Sequence, residues 1–252
     1  MSYNFNDTTA IVTGAASGIG RAAAEQFGQA GANVVVADVV EDGGHETVDL
    51  VETAGGSATF VETDVSDPAD VEAMVQVATE EYDGLDIALN NAGIEGETKP
   101  LSDQTEDVWD GVIDINLKGV WLCLKHELPA MSEDGGGAIV NTSSIAGLAS
   151  AGSAPYVASK HGVIGLTRVA ATEYAQDDIR VNAVCPGVID TAMVDRAADA
   201  DPEGIDQFVK MQPLGRMGTP DEVANAICWL CSEDASFVTG NAYPVDGGYM
   251  AI

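Results

Sequence analysis

The sequence predicts an α/β protein: a single-domain, doubly wound parallel sheet of about seven strands with helices on both faces. Short apolar, β-branched runs alternate with helical patterns, which is typical of βαβ units. The 252 residues fit one large domain or two small ones. No low-complexity linker and no further internal repeat divides the chain, so residues 1–252 are predicted to form one domain.

Seven strands and the helical patterns between them are predicted in chain order. The strands are short runs rich in Val, Ile or Ala, and they cover residues 9–14, 33–38, 57–64, 85–93, 137–144, 179–187 and 241–248. The helical patterns cover residues 19–30, a stretch in the forties, 68–82, 104–131 and 155–175, and a looser helical region follows the sixth strand. Ligands of such sheets bind beyond the carboxyl ends of the strands, so the residues that follow each strand are the candidates for a functional site.

Acidic residues dominate the charge of the chain. Asp and Glu number 41 against 10 Lys and Arg, which gives a formal net charge of −31 spread over predicted helices and loops. Small soluble domains usually carry a net charge of magnitude roughly 2–8. Nucleic-acid binding is not expected, because contacts to phosphates need a basic patch. The composition instead predicts a solvated acidic surface suited to high salt and a halophilic source.

Neither a membrane span nor a metal site is predicted. No apolar run reaches the ~18 residues that a span needs. The N-terminus lacks a basic patch followed by an apolar stretch, so no secretory signal is visible and a cytoplasmic protein is expected. The four cysteines are expected to be reduced thiols; Cys228 and Cys231 lie in an apolar helical pattern and are interpreted as packed helix residues. The three histidines show no metal spacing.

A glycine-rich turn, "TGAASGIG", follows the first strand at residues 13–20. Glycines permit a tight turn and let backbone N–H groups approach a pyrophosphate at a helix N-terminus. The spacing of Gly14, Gly18 and Gly20 differs from the G-x-G-x-x-G pattern, and an ordinary glycine-rich βα turn is the alternative interpretation.

An acidic residue, Asp38, ends the second strand 24 residues after Gly14. A carboxylate at this place can accept hydrogen bonds from an adenosine ribose and would repel a 2′-phosphate. Ser17 and Val39 offer no base that would reverse this preference. The sequence therefore predicts NAD rather than NADP, unless Asp38 is only one more surface acid.

Tyr156 and Lys160 stand four residues apart in a predicted helix, so they share one face of it. A free tyrosine has a pKa of ~10 and is a poor acid or base near neutrality. A neighbouring ammonium stabilises the phenolate and is expected to lower that pKa. Ser143 follows the preceding strand, and its loop can fold back over the start of the helix.

These motifs resemble the short-chain dehydrogenase/reductase family over nearly the full length of the chain. The matching pieces are "TGAASGIG" at 13–20, "NNAG" at 90–93, Asn116 in "DINLKGV", Ser143, "YVASK" at 156–160 and "PGVIDT" at 186–191. The resemblance implies a Rossmann fold, a nicotinamide cofactor and a homo-oligomer, commonly a tetramer. The segment 156–172 independently favours an oligomer, because it carries small or apolar residues on most faces.

The resemblance also implies a role for each matching residue. Tyr156 would exchange a proton with the substrate oxygen while a hydride passes to or from the nicotinamide. Ser143 would orient that oxygen, Lys160 would hold the nicotinamide ribose, and Asn116 would position a water in a proton relay. The residues implied to bind the cofactor, with Tyr156 and Lys160, are Gly14, Ser17, Gly18, Ile19, Gly20, Asp38, Asp64, Val65, Asn91, Ala92, Gly93, Ile189 and Thr191.

The predicted activity is the NAD(H)-dependent interconversion of a secondary alcohol and a ketone, which are small-molecule substrates. Residues 192–215 are expected to form a mobile substrate lid. Apolar side chains are expected to line it: Ile94, Leu148, Ala149, Met193, Val194, Phe208 and Met211. An aldose (glucose-type) 1-dehydrogenase and a 3-oxoacyl reductase remain alternatives within the family. A non-catalytic, cofactor-binding regulatory module is a further alternative, although the implied catalytic set is complete here.

Overall fold

The computed structural model describes residues 3–251, and for Ala200 it describes the backbone only. Of the predicted domain 1–252, residues 1, 2 and 252 therefore lie outside the described residues. Within residues 3–251, seven strands form one parallel sheet in the order β3-β2-β1-β4-β5-β6-β7. The doubly wound sheet predicted from the alternation of strand and helix is confirmed.

The strands begin close to their predicted positions and several end earlier. They are β1 (Thr9–Thr13), β2 (Asn33–Asp38), β3 (Ser57–Glu62), β4 (Ile87–Asn90), β5 (Gly137–Thr142), β6 (Ile179–Pro186) and β7 (Ala242–Val245). The predicted ranges of β3, β4, β5 and β7 included polar or glycine residues that belong to the loops beyond the sheet. Those loops carry the site.

Nine helices connect the described strands. They are α1 (Gly18–Gln29), α2 (Glu41–Thr53), α3 (Pro68–Glu81), α4 (Glu106–Ile113), α5 (Val120–Asp134), α6 (Ala154–Glu173), α7 (Ala192–Ala200), α8 (Pro202–Met211) and α9 (Pro220–Cys231). The single helical pattern predicted at 104–131 is divided by a π-helical turn, Asp114–Gly119, between α4 and α5. None of the described helices is both long enough and apolar enough to cross a membrane.

The sheet separates two apolar cores. Successive side chains of a strand point to opposite faces, so Val12 of β1 enters the core that α1 and α9 cover, and Ile11 enters the core that α3, α5 and α6 cover. Both side chains are fully buried. Burial on both faces explains why the strands are nearly continuous apolar runs.

The chain reverses its direction of travel across the sheet between β1 and β4. Ala10 of β1 pairs with Val34 of β2 on one side and with Ile87 of β4 on the other. Helices on opposite faces diverge at this switch point and leave a crevice beyond the carboxyl ends of the strands. The topology therefore places a ligand cavity above β1 and β4.

A buried polar chain ties the centre of the sheet to its helices. Asn90 donates one hydrogen bond to Asn141 of β5 (3.0 Å) and one to the Glu127 carboxyl of α5 (2.9 Å), while Asn141 donates to Thr167 of α6 (3.0 Å). Burial raises the pKa of Glu127 to about 7. Asn90 thus joins β4 to β5.

Candidate active site

A cavity of about 440 Å³ lies at the carboxyl edge of the sheet, where the loops after β1 to β6 converge. It brings together most of the predicted site residues: Gly14, Ser17, Gly18, Ile19, Asp38, Asp64, Val65, Asn91, Ala92, Gly93, Ser143, Tyr156, Lys160, Ile189 and Thr191. Gly20 and Asn116 do not line the cavity, and each supports residues that do.

Three positions in and just after the turn between β1 and α1 favour glycine. Gly14 and Gly18 have φ values of +65° and +54°, a region that favours glycine. A Cβ on Gly14 would lie 2.9 Å from the Cα of Ala92, and a Cβ on Gly20 would overlap the Gly14 carbonyl oxygen. Ser17, the N-cap of α1, makes no side-chain capping bond. Its hydroxyl and the first N–H groups of α1 therefore remain available to an anion.

Asp38 is held at the end of β2 by backbone N–H groups. One carboxylate oxygen accepts from the N–H of Ala16 (2.9 Å) and the other from the N–H of Val40 (2.9 Å). A carboxylate offers about four acceptor positions, so two remain for ribose hydroxyls. Arg21 is engaged elsewhere, because its guanidinium donates to Glu46 (2.9 Å) and to the carbonyl oxygen of Ala16.

The predicted cofactor-binding residues after β3 and β4 differ in their hydrogen bonds. Asp64 accepts hydrogen bonds from the N–H and hydroxyl of Ser66 (2.9 and 2.7 Å), and Val65 is buried. Asn91 uses its side-chain NH₂ on the carbonyl oxygens of Thr13 and Gly14 (3.1 and 3.2 Å). Asn91 therefore fastens β4 to the glycine turn while it lines the cavity.

The Asn116 side chain does not fit its predicted water-binding role. It is fully buried, its Oδ1 accepts from the N–H of Ile94 (2.8 Å), and its NH₂ donates to the Ile94 carbonyl (2.8 Å) and to Ser159 (3.3 Å). Both amide hydrogens are used. The geometry indicates a residue that fixes the loop after β4, next to Gly93, whose Cβ would lie 3.1 Å from Asn116 Oδ1.

Tyr156 and Lys160 lie in the first two turns of α6 and face the cavity together. Lys160 is almost completely buried, and its ammonium donates to the carbonyl oxygen of Thr142 (2.8 Å) at the end of β5. The Lys160 nitrogen is 5.6 Å from the centre of the Tyr156 ring. The spacing of four residues thus brings an ammonium beside a phenol, as the helical periodicity predicts.

The expected lowering of the Tyr156 pKa is not found in the cofactor-free protein. Burial raises the pKa of Tyr156; a hydrogen bond from Ser144 opposes this rise and the Glu95 carboxylate adds to it. Burial also lowers the pKa of Lys160 to about 8. Removal from water is therefore the main influence on the pKa of both groups.

Ser143 is not the serine that faces Tyr156. Its side chain is buried, and its hydroxyl donates to the carbonyl oxygen of Lys160 within α6 (2.9 Å). The adjacent Ser144 is half-buried, lines the cavity with Tyr156, and opposes the rise of the Tyr156 pKa. Ser144 accepts from the N–H of Ala146 (3.1 Å), which leaves its own hydrogen free to donate into the cavity. The geometry corrects the assignment from Ser143 to Ser144.

The predicted lid consists of two helices, α7 and α8, and only the first reaches the cavity. Met193 and Val194 line it together with Ile94. Phe208 instead stacks on Tyr249 (6.5 Å between ring centres). Leu148, Ala149 and Met211 do not line the cavity either, so the apolar wall is narrower than predicted. At the root of α7, Thr191 packs over the glycine turn, where a Cβ on Gly18 would lie 3.3 Å from its methyl group.

Sequence reasoning missed three residues of the site: Ser144, Glu95 and Arg196. Arg196 of α7 lines the cavity and forms an ion pair with Glu95 in the loop after β4 (3.5 Å). Ser144 is adjacent to Ser143, the serine predicted from the sequence. Two adjacent serines give no sequence signal that tells which side chain points into the cavity. Glu95 and Arg196 are 101 residues apart, so no local pattern links them.

The chain was compared with known proteins. Residues 14–250 match the family model described as enoyl-(acyl carrier protein) reductase. Cyclohexanol dehydrogenase of Acinetobacter sp. (strain SE19) is 44% identical over 252 residues, covering 100% of this chain and 98% of the relative. Cis-4-hydroxycyclohexanecarboxylate dehydrogenase of Sinomonas cyclohexanicum is 46% identical over 253 residues, covering all of both chains. The crystal structure of levodione reductase superposes with a TM-score of 0.95 at 39% identity, covering 98% of this chain and 99% of that one.

The fold, the site and these matches define the class: the chain belongs to the short-chain dehydrogenase/reductase family of oxidoreductases. This family uses nicotinamide cofactors. The glycine turn fits the pyrophosphate of such a cofactor, because the close packing that Gly14 and Gly20 permit leaves Ser17 and the first residues of α1 at the cavity.

Proposed function

We propose that the protein is an NAD(H)-dependent oxidoreductase that interconverts a secondary alcohol and a ketone. The observation that carries this proposal is that Tyr156 and Ser144 line the same cavity as the glycine turn, with the Lys160 ammonium beside the Tyr156 ring. When bound, the nicotinamide would supply or accept the hydride. A binding module without catalysis would not need this arrangement.

Each of the three side chains has a distinct task. Tyr156 would give its proton to the carbonyl oxygen during reduction and take it back during oxidation, because it is the acid that faces the cavity. Ser144 would donate a hydrogen bond to the same oxygen. Lys160, fixed by the Thr142 carbonyl, would stabilise the phenolate and hold the ribose hydroxyls. Asn116 and Ser143 would position this set from behind without contacting the substrate.

The substrate proposed is a cyclic or branched secondary alcohol, or its ketone. Ile94, Met193 and Val194 give the cavity an apolar wall that suits a hydrocarbon ring. Three relatives are named for cyclohexanol, hydroxycyclohexanecarboxylate and levodione. Hydride transfer with NAD⁺ and NADH should be measured on cyclohexanol, cyclohexanone, glucose and a 3-oxoacyl thioester. Turnover of the cyclic pair would support the proposal, and turnover of glucose or the thioester alone would favour the corresponding alternative.

NADH should be preferred over NADPH, because the Asp38 carboxylate would lie against the 2′-phosphate. We expect kcat/KM to be tenfold or more higher with NADH, a ratio that needs only ~1.4 kcal/mol of repulsion. Asp38→Asn should bring the ratio of kcat/KM with NADH to kcat/KM with NADPH closer to one. Asp42→Asn, which removes an exposed acid from the first turn of α2, should leave it unchanged. Equal use of both cofactors by the unmodified protein would refute the assignment.

A homo-oligomer, most simply a tetramer, is proposed for the assembled enzyme. The outer face of α6 exposes Val169, and Gly165 beside it has open space where a Cβ would stand. Trp121 on the neighbouring α5 is about half exposed. Small residues on this face would let a helix approach closely, and an exposed aromatic ring lies beside them. Such a surface is better suited to contact with a second copy of the chain than to contact with water.

Molar salt should stabilise both the fold and the oligomer. A net charge of −31 makes the compact chain repel itself, and the Debye length falls from ~10 Å at 0.1 M to ~3 Å at 1 M salt. We expect the thermal midpoint to rise by several degrees between low salt and 2–3 M KCl, since about 2–4 °C corresponds to each kcal/mol in a domain of this size. Thermal melts and sedimentation across a KCl series test this, with sucrose as a non-ionic control. A flat midpoint with unchanged assembly would show that the acidic surface is incidental and would remove the argument for a halophilic source.

A further inference from the structure

Gln212, the C-cap residue of α8, is a buried amide that the proposed mechanism does not use. Only 2% of the residue is exposed. Its Oε1 accepts from the N–H of Val188 (2.8 Å), and its NH₂ donates to the carbonyl oxygen of Arg216 (2.7 Å). Burial of an amide is costly unless both of its ends are bonded. The two hydrogen bonds therefore hold the side chain in one orientation between the loop after β6 and the segment before α9.

The Gln212 side chain binds the loop after β6 just beyond the end of the sheet. β7 ends at Val245, whose carbonyl oxygen accepts from the N–H of Gly187 (3.0 Å). The next N–H in the loop, that of Val188, donates to Gln212, and the Val188 carbonyl oxygen accepts from the N–H of Gly218 (2.9 Å). Gln212 therefore supplies a hydrogen-bond partner that the sheet no longer provides.

The contact between Gln212 and this loop is close. A Cβ on Gly187 would overlap Gln212 Oε1. The neighbouring Ile189 is buried and lines two cavities, the main cavity described above and a second cavity of about 510 Å³ that Gln212 also lines. Ile189 thus stands between the two cavities. A change in the bonds of Gln212 would therefore reach the main cavity through Val188 and Ile189.

The loop after β6 borders the reacting end of the main cavity. Asp38, the proposed ribose acceptor, ends β2, and β1, β4 and β5 separate β2 from β6 in the sheet. At the other end, the N–H of Ser143 donates to the Val184 carbonyl oxygen of β6 (2.8 Å), and Lys160 donates to the Thr142 carbonyl oxygen (2.8 Å). The loops after β5 and β6 therefore lie side by side, next to the proposed acid and its lysine.

We propose that Gln212 is a positioning residue for the nicotinamide end of the cofactor. It fixes Val188 and thereby holds Ile189 as a wall of the main cavity, and it contacts neither cofactor nor substrate itself. Ile189 lies within the motif at 186–191 that the family shares, whereas Gln212 lies outside all of the shared motifs. This inference rests on the proposed function for the identity of the cofactor, while the hydrogen bonds themselves do not.

The binding arm of the test separates the two ends of the cofactor and needs no turnover. Gln212→Met keeps the length of the side chain but removes the NH₂ donor and the carbonyl acceptor. The Kd of NADH, measured by calorimetry, should rise about tenfold, which corresponds to ~1.4 kcal/mol. The Kd of ADP-ribose, which carries no nicotinamide, should stay the same. Gln76→Met, the same change at an exposed position of α3, is the matched control and should alter neither.

Gln212→Glu gives a second readout that does not depend on how well the methionine variant folds. A protonated carboxyl has a donor and an acceptor, as the amide has, but a carboxylate has acceptors only and would face the Arg216 carbonyl oxygen. The charged groups that line the second cavity beside it are Arg216, paired with Glu222 (2.7 Å), and Asp246. Burial favours the protonated form, so the Kd of NADH should match that of the unmodified protein near pH ~6 and exceed it near pH ~9. The Kd of ADP-ribose should show no such pH dependence.

Activity adds a third readout. A cofactor whose reacting end is displaced should transfer hydride more slowly, so kcat of Gln212→Met should fall by up to ~10²-fold. Equal losses of affinity for NADH and ADP-ribose, or unchanged affinity for NADH in Gln212→Met and in Gln212→Glu at high pH, would refute the positioning role. Failure of the unmodified protein to turn over any alcohol or ketone would instead refute the proposed function, and the binding results would still decide this inference. If NADPH binds better than NADH, NADPH and 2′-phospho-ADP-ribose take the places of NADH and ADP-ribose.

Discussion

Tyr156→Phe should lower kcat for cyclohexanol oxidation by about 10²–10⁴-fold, the range that general acid–base catalysis usually contributes. The substitution removes only the hydroxyl, so the ring keeps its place between Ser144 and Lys160. Cofactor binding, followed by NADH fluorescence, and the thermal midpoint should therefore remain close to those of the unmodified protein. Tyr174→Phe, at the C-cap of the same helix, is the control and should retain activity.

The pH dependence gives the same prediction a second readout. Oxidation needs the phenolate of Tyr156, so its rate should rise with pH; reduction needs the protonated phenol, so its rate should fall at high pH. Burial raises the pKa of Tyr156; a kinetic transition closer to neutrality would show that the bound cofactor lowers it. A Tyr156→Phe variant that keeps turnover within a few-fold would show that another group moves the proton.

Ser144→Ala should lower kcat by about 10²–10³-fold, as loss of one hydrogen-bond donor to a developing oxyanion usually does. The Ser144 hydroxyl accepts from the N–H of Ala146, so its hydrogen is free to donate toward Tyr156 and the substrate. Its adjacent neighbour provides a matched control. Ser143→Ala removes a buried hydrogen bond to the Lys160 carbonyl, which should cost ~0.5–1.5 kcal/mol of stability and leave kcat within a few-fold.

Comparing kcat, KM and the thermal midpoint of the two serine variants separates their roles. We expect a loss of kcat in Ser144→Ala with an unchanged midpoint, and the reverse pattern in Ser143→Ala. A large loss of kcat confined to Ser143→Ala would support Ser143, the serine predicted from the sequence, as the catalytic residue and would reject Ser144.

Local patterns were enough to predict the fold and most of the site. The alternation of strand and helix predicts the sheet, because each element buries its own apolar residues in one of two cores. Glycine spacing predicts the turn at residues 13–20, since the positive φ values of Gly14 and Gly18 are a local property of the backbone. The four-residue spacing of Tyr156 and Lys160 follows from helix geometry.

The missing parts depend on contacts between segments that are distant in the chain. The choice between Ser143 and Ser144 depends on how the loop after β5 packs against α6. The Asn116 amide is occupied by Ile94, 22 residues away, which helical periodicity does not encode. The pKa of Tyr156 is set mainly by burial, and burial is known only after the cavity has been assembled.

The position of β1 has a consequence for how the chain folds during synthesis. β1 can pair with β2 soon after both are made, but its other neighbour, β4, begins 74 residues after β1 ends. At ~5–20 residues per second, one edge of β1 stays unpaired for about 4–15 s while the ribosome makes the intervening chain. Exposed edges of this kind template association between nascent chains, and a polypeptide as acidic as this one keeps such intermediates apart by mutual repulsion.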